Sequence, residues 1–362
     1  SYVIEAVNQI TNNSDIAWSG RMYGQFRRTE VEEQGGLFRV YTYTGGVISS
    51  PDNPYEKIDF DDMAEQTLSR DIVGGWAAMI QHYFAAAWVP DPKLSSHYYT
   101  KVTPETQYIL GLYYDQPVAP GTSRDMAITA YVGPKIQKKM EAVSPGLRRT
   151  VDYGWLFFLA QPMFVVLSWI FDIVKNWGWT IIIFTILLKG CFYWLSAKSY
   201  QSMARMRKLQ PRVMALRERF GTDKQRMNQA MMELYRKEKI NPLGGCLPIL
   251  VQIPFFIALY WVLLESVELR QAPFIFWLSD LAQYDKYFVL PIAMGASMYI
   301  QQKLNPAPPD PMQAKIMMML PFVFTFFFLF FPSGLVLYWL VNNVLSIAQQ
   351  WVIMKTTTVK TK

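Results

Sequence analysis

The sequence predicts an antiparallel β-sandwich followed by an all-α bundle of membrane-spanning helices that carries a cytoplasmic helical hairpin. Three observations predict this fold class. Residues 1–146 contain short runs rich in β-branched and aromatic residues, whereas long apolar runs dominate from residue 177 onward. A segment dense in lysine and arginine separates the first two apolar runs. With 51% hydrophobic and 17% charged residues, the 362-residue chain has the composition of a membrane protein with a large water-exposed domain.

Residues 1–146 are predicted to form the sandwich, on the outer side of the membrane. Four short runs have the composition of strands, and glycine and proline pairs separate them. These runs are Tyr2–Val7, Leu37–Thr44, Gln107–Tyr114 and Met126–Val132. A short surface helix over residues 134–143 is expected to follow. This half of the sequence contains no group of residues with the spacing of a known catalytic site.

Residues 147–176 are predicted to form an amphipathic helix that lies flat in the membrane interface. Its wet side would carry Gln161, Ser168, Asp172 and Lys175. The alternative is that this segment spans the bilayer, because it is nearly apolar enough to do so. A span here would leave only residues 176–178 to turn back, and it would place the sandwich in the cytoplasm.

Five apolar runs are predicted to cross the membrane, because each approaches the roughly 20 residues that a bilayer core requires. They are Trp177–Leu195, Leu243–Leu264, Tyr287–Gln302, Lys315–Phe331 and Leu335–Met354. The first belongs to a transmembrane segment at 177–197 and the other four to a segment at 242–354. The positive-inside rule places the basic segment at 198–241 and the short basic tail at 355–362 in the cytoplasm. Five spans that end inside must begin outside, which agrees with an extracytoplasmic sandwich.

The segment at 198–241 is predicted to fold as a cytoplasmic helical hairpin. Its first arm carries apolar residues three and four apart, namely Met206, Leu209, Val213, Leu216 and Phe220. Gly221 is expected to end this arm, and Thr222 is expected to cap the second. Six basic residues crowd the first arm: Arg205, Arg207, Lys208, Arg212, Arg217 and Arg219. They favour either a solvated, self-packed hairpin or a docking arm for ribosomal RNA or acidic partners.

Lys189 lies inside the first predicted span, and no span offers an obvious carboxylate partner for it. A lysine at a helix centre costs roughly 2.5–3.5 kcal/mol even on mild insertion scales, so we expect it to face a wet cavity or a transient partner. Other spans also carry polar residues, namely Thr185 one turn away, Gln252, and Trp339, Asn342, Asn343, Ser346 and Gln350 along one helix face. Together they predict a shared hydrophilic interior, although hydrogen bonds that only hold the bundle together explain the amides equally well.

The sequence predicts neither a metal site nor a cofactor. Two cysteines, Cys191 and Cys246, lie in or beside spans, and two histidines, His82 and His97, lie in the soluble half. A secondary transporter with Lys189 in an anion-binding site is the main alternative function, but the sequence shows no internal repeat. An intramembrane enzyme is disfavoured, because neither Gly-x-Ser-x-Gly nor His-Glu-x-x-His occurs.

Three long motifs lie at or beside the spans, namely Asn241–Tyr260 at the second span, Ser266–Phe274 after it, and Phe331–Tyr338 at the last span. They resemble motifs of the YidC/Oxa/Alb family of membrane protein insertases. The resemblance extends to residues 150–155 and to a sandwich typical of Gram-negative members, so it covers essentially the whole chain. It implies that residues 1–146 are the C-terminal part of a periplasmic sandwich, because full-length members carry an additional first span and earlier strands.

The resemblance also implies a function and a set of site residues. Members receive hydrophobic segments of nascent membrane proteins in a hydrophilic groove and release them laterally into inner-membrane lipid, alone or with the Sec translocon. They are not enzymes. Lys189 occupies the position of the basic groove residue, while Thr185 and Trp339 match its threonine and tyrosine positions. Expected partners are nascent membrane proteins, the Sec translocon, lipids and, transiently, the ribosome, but not DNA.

Overall fold

The computed structural model describes residues 1–30, 42–221, 223–238, 247–306 and 311–359. The chain forms two compact units. The first comprises Ser1–Asp152 together with Glu265–Val267, and the second comprises Tyr153–Leu264 and Glu268–Lys362. The predicted fold class is confirmed, since an antiparallel β-sandwich precedes an all-α region.

The first unit is built from two antiparallel sheets. Its strands are Val3–Thr11 (β1), Trp18–Thr29 (β2), Gly45–Ser49 (β3), Glu56–Ile58 (β4), Ser69–Val73 (β5), Trp76–Gln81 (β6), Phe84–Val89 (β7), Ser95–Val102 (β8), Gln107–Val118 (β9) and Ser123–Pro134 (β10). The six-stranded sheet has the order β1-β10-β7-β6-β3-β4, and the four-stranded sheet has the order β2-β9-β8-β5. Two short helices, Phe60–Glu65 (α1) and Gln137–Val143 (α2), complete the unit.

The core of the sandwich lies between the inner faces of the two sheets. Leu110, Leu112 and Tyr114 alternate along β9 and are buried, as the period of two in a strand requires. Met126 and Ile128 of β10 join the same cluster from the six-stranded sheet. Three predicted strands are thus confirmed as parts of β1, β9 and β10. The fourth, over residues 37–44, falls largely on residues outside the described ranges.

A buried lysine follows β10 in the first unit. The Nζ of Lys135 lies 4.0 Å from Oε2 of Glu265, and the two side chains are 1% and 4% exposed. Lys57 and Asp152 form a second ion pair in this unit. Burial lowers the pKa of Lys135, because removing the ammonium from water disfavours its charged form. Residues 265–267, distant in sequence from β10, therefore contribute a charge to the interior of this unit.

The second unit is helical. Its helices are Phe157–Val174 (α3), Trp177–Cys191 (α4), Tyr193–Phe220 (α5), Lys224–Lys237 (α6), Leu247–Glu265 (α7), Val289–Leu304 (α8), Pro311–Phe328 (α9) and Ser333–Val359 (α10). Helices α7 to α10 coincide with the last four predicted spans to within a few residues. Helix α10 continues through most of the predicted basic tail, since it ends only at Val359.

Helix α3 contains most of the segment that the sequence predicts to lie flat. By length and composition, residues 154–174 form a helix that is long and apolar enough to cross a membrane. Of the four polar residues expected on its wet side, Asp172 and Lys175 are exposed and Gln161 and Ser168 are half-buried, while Trp169 and Ile173 are also exposed. Lys175 adopts a left-handed conformation, and the side chain of Asn176 caps α4 by accepting a hydrogen bond from the Trp179 amide. The flat placement of α3 stays a prediction.

The first predicted span contains a sharp break. Helices α4 and α5 meet at Phe192 with a bend of 69°, so the helix that carries the predicted first arm of the hairpin begins at Tyr193, before Lys198. Thr222, the predicted cap of the second arm, lies outside the described residues, and Asp223 caps α6 by accepting a hydrogen bond from the Arg226 amide. The predicted apolar seam is confirmed at Leu209 and Val213, which are buried.

Candidate functional site

A polar cavity of about 340 Å³ lies within the second unit. Six helices line it: α4, α5, α7, α8, α9 and α10. Its polar lining residues are Lys189, Ser196, Ser199, Tyr200, Gln252, Gln301, Gln302, Asn305, Tyr338, Asn342, Asn343 and Ser346. The rest of the wall is apolar and includes methionine, phenylalanine and tryptophan side chains. A cavity of this size with a few convergent polar groups is the usual form of a binding site.

Most of the site residues that the sequence predicts meet in this cavity. The six that line it are Lys189, Gln252, Trp339, Asn342, Asn343 and Ser346. Thr185 is the exception, because it is only 1% exposed and its Oγ1 donates a hydrogen bond to the Ile181 carbonyl at 2.6 Å. A threonine bonded in this way satisfies its hydroxyl within its own helix. Thr185 instead borders a much smaller adjoining pocket.

Lys189 is the cation of the cavity. It lies in the last turn of α4 rather than in mid-helix, because the chain bends at Phe192. Among the described residues it has neither an ion pair nor a hydrogen-bond partner, and the lining residues include no aspartate or glutamate. An anionic group that enters the cavity would therefore meet a cation that no carboxylate among the described lining residues neutralises.

The polar face of α10 serves two purposes. Asn343 donates a hydrogen bond from Nδ2 to Ser297 Oγ at 3.1 Å, which joins α10 to α8. Gln350 is buried and donates from Nε2 to Asn305 Oδ1 at 3.1 Å, so it also acts in packing. By contrast, the indole Nε1 of Trp339 is buried without a hydrogen-bond partner among the described residues. The face thus combines helix contacts with unsatisfied groups at the cavity.

Sequence reasoning missed the contribution of α5 to this site. The residues of α5 that line the cavity are Ser196, from the end of the predicted transmembrane segment, and Ser199, Tyr200 and Met203, from the beginning of the predicted hairpin. Their spacing of three and four residues was the available signal, since it marks one face of a helix. The bend at Phe192 turns that face toward the other helices of the unit.

The helices that line the cavity also carry exposed apolar side chains. Examples are Ile186 and Leu187 on α4, Phe326 on α9, and Val344 and Val352 on α10. Large exposed apolar surfaces mark sites of contact with membranes or proteins. The unit therefore combines a polar interior with an apolar exterior.

The basic residues of the hairpin are mostly exposed. Arg205, Arg207, Lys208, Arg212 and Arg219 are exposed, whereas Arg217 is half-buried. Arg212 forms an ion pair with Glu238 at 2.6 Å, and Arg207 donates to the Leu304 carbonyl at 3.5 Å. Part of this charge therefore holds the hairpin in place. Within the described ranges, the histidine, cysteine and acidic residues form no group that could hold a metal ion.

Both halves of the chain match the profiles of known protein families. The profile of the 60Kd inner membrane protein family matches residues 169–361, and the profile of the YidC periplasmic domain matches residues 1–166. Curated relatives named Membrane protein insertase YidC are 56% identical over 356 residues in Nitrosococcus oceani and 57% identical over 356 residues in Alkalilimnicola ehrlichii. These matches cover 98% of this chain but only 65% and 63% of the relatives, so the chain spans less than two thirds of their length.

A solved crystal structure of an active YidC insertase resembles the chain with a TM-score of 0.48 and 19% identity, over 84% of this chain and 82% of that chain. The two profile matches together span nearly every residue. The chain therefore belongs to the YidC family of 60Kd inner membrane proteins, with the periplasmic domain of that family preceding its helical region.

Proposed function

We propose that the full-length protein is a membrane protein insertase that receives hydrophobic segments of nascent proteins in the polar cavity and releases them laterally into the bilayer. The observation that carries this proposal is a lysine without an ion-pair partner in the described part of the chain, inside a polar cavity whose helices are apolar outside. The name of the curated relatives, Membrane protein insertase YidC, supports it.

The physical role of the cavity is to lower the cost of moving a hydrophilic flank through the membrane. An unsatisfied polar group in hydrocarbon costs several kcal/mol, whereas a polar cavity offers hydrogen-bond partners and water. Lys189 attracts acidic residues in the flank. Transfer of the apolar segment into lipid, at roughly 25 cal/mol per Å² of apolar surface, drives the step.

The remaining parts of the chain fit this role in an inner-membrane protein. The sandwich lies in the periplasm, and the hairpin and the C-terminal end of α10 lie in the cytoplasm. The exposed arginines and lysine of the hairpin contact the ribosome transiently through its RNA phosphates. The Sec translocon takes part for some substrates. No covalent bond is made or broken, no cofactor takes part, and the basic surface does not bind DNA.

Site-specific photocrosslinking of the full-length protein in cells tests the proposal. A photoreactive amino acid replaces Met298 or Trp339 in the cavity, while a nascent single-span protein is stalled on the ribosome. Ile292 provides a matched control, because it lies on α8 like Met298 but is 60% exposed and outside the cavity. We expect the hydrophilic flank to crosslink from the two cavity positions and not from Ile292. A correctly folded protein without cavity crosslinks would contradict the proposal and favour anion transport.

A further inference from the structure

Four carboxamides face the cavity without a hydrogen-bond partner. They are Gln252 of α7, Gln301 and Gln302 of α8, and Asn342 of α10, and none has a side-chain hydrogen bond within the described residues. Their side chains are only half-buried, so water or a ligand can reach them. The other two lining carboxamides, Asn305 and Asn343, are bonded to Gln350 and Ser297. The structure thus separates carboxamides that hold helices together from carboxamides that are available.

A second unsatisfied group lies beside them. The Nε1–H of Trp339 is buried and has no acceptor in the described part of the chain, although Trp339 lines the cavity. Trp339 and Asn342 are three residues apart on α10 and so share one face. Leaving a buried donor unpaired destabilises the protein, and a ligand carbonyl at this position would satisfy it.

The chemistry of the lining restricts the ligand. A hard cation would require several carboxylate or other oxygen ligands, and the lining residues include no carboxylate. A phosphate would favour a cluster of arginines and lysines, whereas Lys189 is the only cation among the lining residues described. A carboxamide is neutral and presents two N–H donors and one carbonyl acceptor. Its closest chemical complement is another amide, and the peptide group is the amide of a polypeptide backbone.

We propose that these four carboxamides and the Trp339 indole bind the peptide backbone of the substrate flank while that flank is extended. The inference rests on the insertase function proposed above and names what the cavity recognises. An extended flank leaves its backbone N–H and C=O groups unpaired, and the carboxamides pair with them in place of water.

In this proposal two kinds of group recognise the flank: the carboxamides and the indole bind its backbone, and Lys189 binds its acidic side chains. Contacts to the backbone are independent of the flank's side chains, because every residue except proline presents the same N–H and C=O. Lys189 adds a preference for acidic side chains on top of this general binding. The cavity can then accept flanks of many sequences and still favour acidic ones.

The test uses the full-length protein in liposomes and three single-span substrates with acidic, neutral and basic flanks. Gln302→Met and Asn342→Leu remove hydrogen-bonding groups at nearly constant size. We expect each substitution to lower the insertion rate by roughly fivefold, equivalent to about 1 kcal/mol for one hydrogen bond. The factor should be the same for all three flanks, because the backbone is the same in each. Gln313→Met is the matched control, since Gln313 is exposed on α9 and outside the cavity, and it should leave the rate unchanged.

A second measurement changes the backbone of the substrate flank. Cell-free synthesis with α-hydroxy acids replaces two peptide bonds of the flank by esters, which removes N–H donors without changing any side chain. We expect slower insertion of the ester substrate by the wild-type protein. The double variant Gln302→Met/Asn342→Leu should show a smaller ester effect, because its partner groups are already gone.

Each outcome has a distinct meaning. A loss confined to one flank composition would overturn backbone recognition in favour of side-chain recognition. Equal insertion by wild type and variants, with no ester effect, would mean that the carboxamides only line the cavity with water. Insertion by the wild-type protein no faster than by protein-free liposomes would instead refute the insertase function itself.

Discussion

Replacing Lys189 by methionine is expected to weaken the insertion of proteins with acidic flanks. Methionine keeps a similar length and removes the charge. Because Lys189 has no ion pair in the described chain, its loss leaves no carboxylate unpaired among the cavity lining, so the fold should tolerate the change. The effect should therefore reflect the encounter between Lys189 and the substrate.

The magnitude follows from the surroundings of Lys189. Two opposite charges about 5 Å apart interact by about 0.8 kcal/mol in bulk water and by about 3.3 kcal/mol at an effective dielectric constant near 20. A polar cavity bounded by apolar walls lies between these limits. A value of about 1.4 kcal/mol corresponds to a tenfold change in rate, which we take as the expected loss.

The assay is protease protection of a reconstituted single-span substrate whose flank contains either aspartates or the isosteric asparagines. Lys189→Met should slow insertion of the aspartate substrate about tenfold and barely affect the asparagine substrate. Lys189→Arg should retain most of the activity, because it keeps the charge. Raising the salt concentration to about 1 M should narrow the difference between the two substrates for the wild-type protein, since the screening length then falls to about 3 Å, below the separation of the two charges.

The decisive variant is Lys189→Glu, which places a like charge against the acidic flank. If this protein inserts the aspartate substrate as fast as the wild type does, the charge argument is refuted. An equal loss for both substrates would also contradict it, because it would show that Lys189 acts through the structure of the cavity.

Three further predictions concern the stability of the full-length protein. Gly295→Ala should destabilise it by about 1–3 kcal/mol, because the new Cβ would lie 1.9 Å from Thr325 Oγ1; thermal unfolding in detergent measures this, and Thr325→Ala in the same chain should restore much of the loss. Lys135→Met should cost about 3–5 kcal/mol by leaving Glu265 buried and unpaired. Adding Glu265→Gln should recover part of that cost, and a double variant no more stable than the single one would argue against the pair. Asp285→Ala should accelerate hydrogen exchange in the loop before α8, because the carboxylate of Asp285 accepts hydrogen bonds from three N–H groups; unchanged exchange would contradict this role.

The sequence predicted the features that depend on local composition. Helices α7 to α10 were found because a long apolar run is a property of the chain itself, whatever it packs against. Strands β9 and β10 were found from their β-branched and aromatic residues. The positions of these strands within the sandwich were not predicted. Strand β1 pairs with β10, and β2 pairs with β9, although the members of each pair lie far apart in the sequence. Such pairings depend on long-range packing that no local pattern records.

Two differences between the expected and the observed arrangement of the site have the same origin. The bend at Phe192 depends on how α4 and α5 pack against the rest of the unit, and it places α5 residues in the cavity and Lys189 in the last turn of α4. The hydroxyl of Thr185 was expected in the cavity because it lies one turn from Lys189. It bonds to the Ile181 carbonyl instead, a choice of rotamer that spacing does not reveal.

By itself, the sequence determined that a cation and a set of carboxamides lie within apolar helices of a protein that also has an outer sandwich. Only the tertiary structure decided which of these polar groups are available. Asn342 and Asn343 are neighbours in sequence, yet Asn343 is bonded to Ser297 while Asn342 faces the cavity without a partner in the described chain. The reason is geometric, because consecutive residues of a helix point about 100° apart and the neighbouring helices determine what each one meets.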